Sequence, residues 1–286
     1  MAVQINSETA LYCLIGWPAR YSLSPLFWNA AFDAAGINAV YLVLPVLSDG
    51  FQAAAAGLTA LGLRGFNVTQ PYKEKIVSFV DKLIYPANII GNVNTVKIEG
   101  SECTGTNTDA LAFLSILDNL KVCNSAVVAG SGGAAKAAIW AFCEKKTSVI
   151  HWVARNPGKM DISFSPGGTR IFKHLLNEPN LPNIISETEI IVNATTLGWK
   201  ENENLTFLTG LTPENVYIDF NYSNSSELIK TAEASGAKVI NGLELLLRQG
   251  FRGFEFMTGL KAPESVMRES IRKECNFHSQ RMQEVD

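Results

Sequence analysis

The stretch Ala126-Val127-Val128-Ala129-Gly130-Ser131-Gly132-Gly133-Ala134-Ala135-Lys136 decides how this chain is read. A short apolar run enters Gly130-x-Gly132-x-x-Ala135, and a run rich in alanine follows it. Strand, tight turn and helix in that order form the fingerprint that lays a dinucleotide pyrophosphate on a helix N-terminus. Gly130 permits the turn, Gly132 lets the backbone approach a phosphate, and Ala135 keeps the helix close to the strand. The N–H groups around Ser131, Gly132, Gly133 and Ala134 then face the anion, because the first turn of a helix has no internal acceptors for them. An ordinary glycine-rich turn is the bland alternative, and the strand and helix on either side argue against it.

The next apolar run, Ser148–Val153, leads into Ala154-Arg155-Asn156-Pro157-Gly158-Lys159. Sites for NAD usually end this strand with Asp or Glu to hold the ribose hydroxyls. Here the nearest acid is Asp161, and Arg155, with Asn156 and Lys159 beside it, stands where a 2′-phosphate would sit. A guanidinium grips a phosphate through two parallel hydrogen bonds, so the sequence predicts NADP over NAD. Ile190–Asn193, Val216–Asp219 and Lys238–Asn241 are further apolar runs of the kind buried on both faces of a sheet.

An earlier series of alternating elements precedes the fingerprint. Ala10–Ile15, Val40–Leu44 and Gly65–Val68 read as strands; Pro25–Ala35, Gly50–Leu61 and the residues after Pro71 read as helices. This rhythm predicts a parallel sheet covered by helices. After Gly242 the pattern is helical, in two segments split near Gly259–Pro263. The fold class is therefore α/β, with two lobes and a cleft between them where a small molecule would bind.

Composition excludes several functions. The 286 residues suit about two domains, and 47% hydrophobic with 18% charged residues is a globular balance. A net charge of −3 offers no basic stripe for nucleic acid. The run Ala10–Ile15 has no basic residue before it, the first being Arg20, so it does not read as a signal peptide; Ala126–Cys143 is broken by Ser131, Lys136 and glycines, so it does not read as a membrane span. The cysteines, at 13, 103, 123, 143 and 275, form no Cys-x-x-Cys clip and read as reduced thiols of a cytoplasmic protein. His151, His174 and His278 are too far apart for a helical metal pair, and no metal is expected.

The first series carries polar residues at its strand ends. Gly16–Pro25, Gly65–Lys73 and Gly91–Thr95 are each rich in hydroxyls and amides, and Gly105–Asp109 leads toward the second series. Ligands of open α/β sheets bind at this carboxyl edge, and the set suits a small polyhydroxylated acid. Singly, Ser24 before Pro25 reads as a helix N-cap, whereas Ser22 has no such role. Asn67 and Asn94 read either as ligand groups or as satisfiers of loop backbone, and Asp109 as a cap for a helix near Ala110. Lys73 lies just after Pro71, at the positive end of the expected helix, where stability prefers an acid; its presence there points to proton transfer.

Taken in order, these stretches resemble the shikimate dehydrogenase family. Ser22-Leu-Ser-Pro25, Asn67-Val-Thr-Gln-Pro-Tyr-Lys73, Val93-Asn-Thr95 and Asn107-Thr-Asp109 are similar to its substrate-lobe motifs; Gly130–Ala134, Arg155, Asn193-Ala-Thr195 with Gly198, Asp219–Tyr222, and Asn241-Gly242 followed by Leu246–Gln249 are similar to its later ones. The resemblance implies reversible reduction of 3-dehydroshikimate to shikimate with NADPH, with Lys73 and Asp109 as catalytic pair. It implies that Ser22, Ser24, Thr69, Asn94, Tyr222 and Gln249 hold the substrate, that Asn67 shapes its pocket, and that Asn193, Thr195 and Gly242 join the glycine motif at the cofactor. It further implies a discontinuous substrate domain, 1–108 with 243–286, around a Rossmann-type NADP-binding domain at 109–242, acting as monomer or homodimer. The chain departs from the family at Trp28, where His is common, at Leu245, where Met is usual, and at Ala154-Arg155-Asn156 in place of Asn-Arg-Thr. The first two alter the pocket and leave a quinate-type paralogue open, the third bears on the choice of NADP, and a non-catalytic NADP-binding sensor is the alternative of another class.

Overall fold

The computed structural model describes residues 5–272 except 121–122, 163, 165, 199–207 and 223–225; Cys275, His278 and the side chain of Lys159 lie outside the description. The chain divides into two compact units, one built from residues through Thr108 together with those from Leu247 on, the other from Asp109 to Leu246.

The first unit holds β1 (Ala10–Gly16), β2 (Ala39–Pro45), β3 (Gly65–Val68), β4 (Lys82–Leu83), β5 (Thr95–Glu99) and β6 (Glu102–Thr106), in the order β2-β1-β3-β5-β6-β4. β1 pairs in parallel with β2 and β3, but β5 runs antiparallel to both β3 and β6. The sheet is thus mixed rather than parallel as the sequence rhythm suggested. The reason is the link Gly100-Ser101 between β5 and β6, which is too short for the crossover that a parallel pair requires. Helices α1 (Ser24–Ala34) and α2 (Phe51–Ala60) follow β1 and β2. Phe51, Ala55 and Leu58 of α2 join Cys13, Ile15, Phe66 and Val68 in one buried cluster.

No α-helix follows Pro71; a 3₁₀ segment, Lys75–Phe79, stands there instead, and a short helix α3 (Ala87–Ile90) comes later. The Lys73 carbonyl accepts from the N–H of Val93 at 2.8 Å, so it is taken up by a neighbouring segment rather than by a helical turn. Tyr72 and Ile76 are both fully buried, and the Tyr72 hydroxyl donates to the Val46 carbonyl at 2.7 Å. The helix-dipole argument for Lys73 therefore falls, and its placement rests on this backbone pairing.

The second unit holds β7 (Ser125–Ala129), β8 (Val149–Ala154), β9 (Arg170–Leu175), β10 (Ile190–Asn193), β11 (Val216–Asp219) and β12 (Lys238–Ile240). Their order is β12-β11-β10-β7-β8-β9, and every neighbouring pair is parallel. This is the doubly wound arrangement in which the strand order reverses at the first strand, here between β7 and β10. Helices α4 (Thr108–Leu117), α5 (Gly133–Glu144), α6 (Leu181–Ser186) and α7 (Glu227–Ala234) accompany it. Strand β9 is an edge strand whose Arg170, Lys173 and Leu175 are exposed, which explains why its composition hides it.

The last long helix, α8 (Gly242–Thr258), completes the first unit, and residues 264–272 are again helical. Gly250 is glycine because a Cβ would sit 2.5 Å from the Phe27 ring. One turn on, Phe254 packs its ring 5.7 Å from Trp28 and 5.9 Å from Phe32, and all three rings are buried. Each such side chain contributes about 1.5–3 kcal/mol by leaving water. Among the described residues no helix is long and apolar enough to cross a membrane.

Candidate active site

In the first unit the polar strand ends form one hydrogen-bonded net. Asn67 on β3 is buried; its Oδ1 accepts from the Tyr41 hydroxyl at 2.7 Å, and its Nδ2 donates to Thr95 Oγ1 at 2.9 Å and to the Asn94 carbonyl at 3.2 Å. Asn94 Oδ1 in turn accepts from the Thr108 N–H at 2.7 Å, from Thr108 Oγ1 at 3.1 Å and from Thr95 Oγ1 at 3.0 Å. Asn94 is thus the cap of α4, supplied from another segment, and Asp109 lies inside the first turn rather than capping it. A carboxylate in that turn matches the positive end of the helix.

Asn107 Nδ2 donates to the Asn92 carbonyl at 3.3 Å and to Asn92 Oδ1. Together with the bond between Val93 and Lys73, these contacts tie three segments together, 67–73, 92–95 and 106–108. Lys73 is half-buried at one of them, and Asp109 is the next residue along the chain from another. Thr69 donates its N–H to the Ile15 carbonyl at 2.9 Å.

The serines differ from expectation. Helix α1 begins at Ser24, its N-cap position is Leu23, and no side chain caps it. Ser22 Oγ instead accepts the Ser24 N–H at 3.2 Å and donates to Ser24 Oγ at 3.1 Å. Ser22 therefore has a turn-forming role that its sequence context did not suggest, and Ser24 has lost the capping one. Gln249 lies on α8 one turn before Gly253, the position on that helix that faces Trp28 and the Asn67 amide. Trp28 itself is buried against Tyr41, their rings stacked at 4.9 Å, so this departure from the family acts from beneath the polar net rather than as a wall of it.

In the second unit the glycine turn fits a pyrophosphate. Gly130 has φ +127°, and a Cβ there would lie 2.6 Å from the Ala194 carbonyl of the loop after β10. Its N–H donates to the Val153 carbonyl at 2.8 Å, and its own carbonyl accepts from the Trp152 indole N–H. Gly132 is the extended N-cap of α5, no side chain caps that helix, and a Cβ at Gly132 would meet nothing within 4 Å. That open approach beside first-turn N–H groups is the cradle an anion needs. Ser131, Gly133 and Ala134 are part-buried around it. Arg155 is exposed at the end of β8; Asn156 Oδ1 accepts the Gly158 N–H at 3.0 Å and so shapes the turn that carries it.

The loop after β10 is organised by Asn193, whose Oδ1 accepts from the Thr195 N–H at 3.1 Å and Thr195 Oγ1 at 2.6 Å. Its Nδ2 donates to the Leu197 carbonyl and to Asp219 Oδ1, each at 3.1 Å. Asp219 is fully buried, also accepts from the Tyr217 hydroxyl and the Asn221 N–H, and has its carboxyl pushed up to about 6 by burial. Gly242 donates its N–H to the Asn221 carbonyl at 3.1 Å. Tyr222 is part-buried, and burial raises its phenol above the ordinary value.

Sequence reasoning missed Tyr41 and Asp219 as working parts of these networks. An aromatic residue in an apolar strand signals core and nothing more, and a strand-end Asp signals a turn. It also missed that His151 and His174 meet across β8 and β9, Nδ1 to Nε2 at 3.0 Å, with Glu178 3.0 Å beyond. Among the described residues no group of three or more His, Cys, Asp or Glu is arranged to hold a metal. Cys13, Cys103, Cys123 and Cys143 are free thiols.

Comparison with known proteins adds an independent finding. Residues 14–96 match the shikimate dehydrogenase substrate binding domain, and residues 242–272 match the shikimate 5'-dehydrogenase C-terminal domain. Shikimate dehydrogenase (NADP(+)) of Aquifex aeolicus is 35% identical over 273 residues, covering 94% of this chain and 98% of that protein. The crystal structure of the Aquifex aeolicus shikimate dehydrogenase aligns with a TM-score of 0.84 over 94% of this chain and 100% of that one. The Thermus thermophilus shikimate 5-dehydrogenase, solved in complex with NADP(H) and shikimate, aligns with a TM-score of 0.79 at 27% identity, over 93% and 99%.

Proposed function

Because this chain belongs to the shikimate dehydrogenase family, we propose that it interconverts 3-dehydroshikimate and shikimate with NADPH and NADP, in the pathway toward chorismate and the aromatic amino acids. What carries the reading is full-length likeness to relatives of that activity, joined to a polar net that ends at Lys73 on one side and at the stem of Asp109 on the other.

When bound, NADP would supply the hydride acceptor for oxidation of the ring alcohol, and NADPH the donor for the reverse. The chain's own task is the proton. Lys73 Nζ takes the hydroxyl proton as the alcohol becomes a ketone and gives it back in reduction, while the Asp109 carboxylate accepts a hydrogen bond from the ammonium so formed and steadies it. Ser22 and Ser24 would turn their hydroxyls to the substrate carboxylate, and Thr69, Asn94, Tyr222 and Gln249 would hold its ring hydroxyls. Gly130–Ala134, Asn193, Thr195 and Gly242 would line the cofactor, with Arg155, Asn156 and Lys159 at the 2′-phosphate. In this reading the substrate domain is 1–108 with 243–286 and the cofactor domain is 109–242. By the same reading the protein is cytoplasmic and works as monomer or homodimer.

The test is steady-state kinetics at the NADPH absorbance band, with shikimate and quinate each paired with NADP and NAD. The highest kcat/KM falls on shikimate with NADP. A higher value on quinate, or no turnover with either acid, overturns the assignment.

A further inference from the structure

We propose that Tyr41 is a positioning residue for substrate binding: its hydroxyl donates to Asn67 and holds the Oδ1 of that amide, whose donors are engaged elsewhere, as an acceptor for the ligand. The proposal rests on the shikimate dehydrogenase reading above and names a residue on which the binding side of that reaction depends.

The geometry is that of a buried joint. Tyr41 is wholly buried on β2, and its hydroxyl donates to Asn67 Oδ1 at 2.7 Å. Burial holds the phenol well above its ordinary value, so it remains a proton donor throughout the working pH range. The ring cannot swing away. Trp28 stacks on it at 4.9 Å and 14°, and Trp28 is itself enclosed by Phe32 at 5.6 Å and Phe254 at 5.7 Å. The strand is held as well, since Asn29 Oδ1 accepts the Tyr41 N–H at 2.8 Å and Asn29 Nδ2 donates to the Tyr41 carbonyl at 3.0 Å.

The consequence for Asn67 follows from counting its hydrogen-bonding capacity. A carboxamide has two N–H donors and two acceptor lone pairs. Both donors are engaged, by Thr95 Oγ1 at 2.9 Å and the Asn94 carbonyl at 3.2 Å, and one lone pair receives Tyr41. A single lone pair is left, and it recognises a hydroxyl, not a carbonyl or an ether oxygen. The Asn94 carbonyl only accepts, so it keeps Nδ2 on its side; the Tyr41 hydroxyl is the donor that holds Oδ1 at its angle, and without it that oxygen is free to tilt.

The experiment is Tyr41→Phe, which keeps the ring and its stack on Trp28 and removes one oxygen. Kinetics with shikimate and NADP, a thermal unfolding midpoint and the double variant Tyr41→Phe/Asn67→Ser are measured beside the wild type. The expected result is a five- to twentyfold rise in KM for shikimate, kcat within about threefold, and an unchanged KM for NADP, consistent with the loss of a single net hydrogen bond. Adding Tyr41→Phe to Asn67→Ser should change KM by less than about twofold, because the phenol acts through the amide. An unchanged shikimate KM overturns the proposal. So does a parallel loss in kcat and in both KM values with a lowered midpoint, which is the mark of a merely structural residue. If the wild type itself fails to oxidise shikimate, the functional reading falls and takes this inference with it; an active wild type with a silent Tyr41→Phe refutes the inference alone.

Discussion

Replacing Asp219 by Asn separates a buried charge from the shape that carries it. The carboxyl has no exposure to solvent; it accepts from Asn193 Nδ2 at 3.1 Å, the Asn221 N–H at 2.8 Å and the Tyr217 hydroxyl at 2.8 Å. Burial outweighs these three donors and pushes the carboxyl from 3.8 up to about 6. Between those values the folded protein binds more protons than the unfolded chain, so the stabilisation from this group is complete below pH 3.8 and is lost as pH rises through about 6. At roughly 1.36 kcal/mol per pH unit, the gap amounts to about 3 kcal/mol. An amide of the same shape has no such titration. The assay is the free energy of unfolding in urea at pH values from about 4 to 8, for wild type and Asp219→Asn. Whatever constant cost the substitution carries at Tyr217, the variant should gain on the wild type by about 2.5 kcal/mol across that range, most of it between about pH 4 and 7. Burial lowers the proton affinity of His151, but that histidine is common to both proteins and drops out of the difference. A difference that stays flat within about 0.5 kcal/mol, or one that runs the other way, refutes the reasoning.

Lys73→Ala should cut kcat by about 10²- to 10⁴-fold while the shikimate dissociation constant moves little, measured by turnover and by calorimetry; near-normal turnover sinks the proton-transfer role. Arg155→Ala should raise the KM for NADP by about 10- to 100-fold and leave that for NAD almost unchanged, the expected signature of a lost charge-assisted phosphate contact. Ser22→Ala should act mainly on shikimate KM, and a drop confined to kcat would contradict its assigned place. Asn94→Ala removes the acceptor for the Thr108 N–H and should lower stability by about 1–3 kcal/mol by urea titration, whatever it does to binding.

The second unit was legible because its signals are local. A glycine turn must lie between a strand and a helix, and apolar runs at β7, β8, β10, β11 and β12 announce strands buried on both faces. Strand β9 escaped because an edge strand has one polar side, and β5 and β6 escaped because Thr95, Lys97, Glu99, Glu102 and Thr104 dilute their apolar alternation. The expected helix after Pro71 failed for a non-local reason: the Lys73 carbonyl is claimed by Val93, twenty residues away. The site residues were visible as polar groups at strand ends, but not the division of labour among them. That Asn94 caps α4, that Ser22 forms a turn and that Tyr41 sits behind Asn67 are facts of distance between segments, which spacing along the chain does not encode.

The glycines and aromatic rings of α8 impose an order on biosynthesis. Phe27, Trp28 and Phe32 leave the ribosome early, yet Gly250 and Phe254, which cover them, are made more than two hundred residues later. At about 5–20 residues per second the N-terminal rings wait on the order of ten seconds or more for their cover, while the whole of Asp109–Leu246 emerges and can fold. A nascent chain halted before residue 250 therefore displays an oily face that a holding chaperone would bind, and release of the finished chain is the event that hides it.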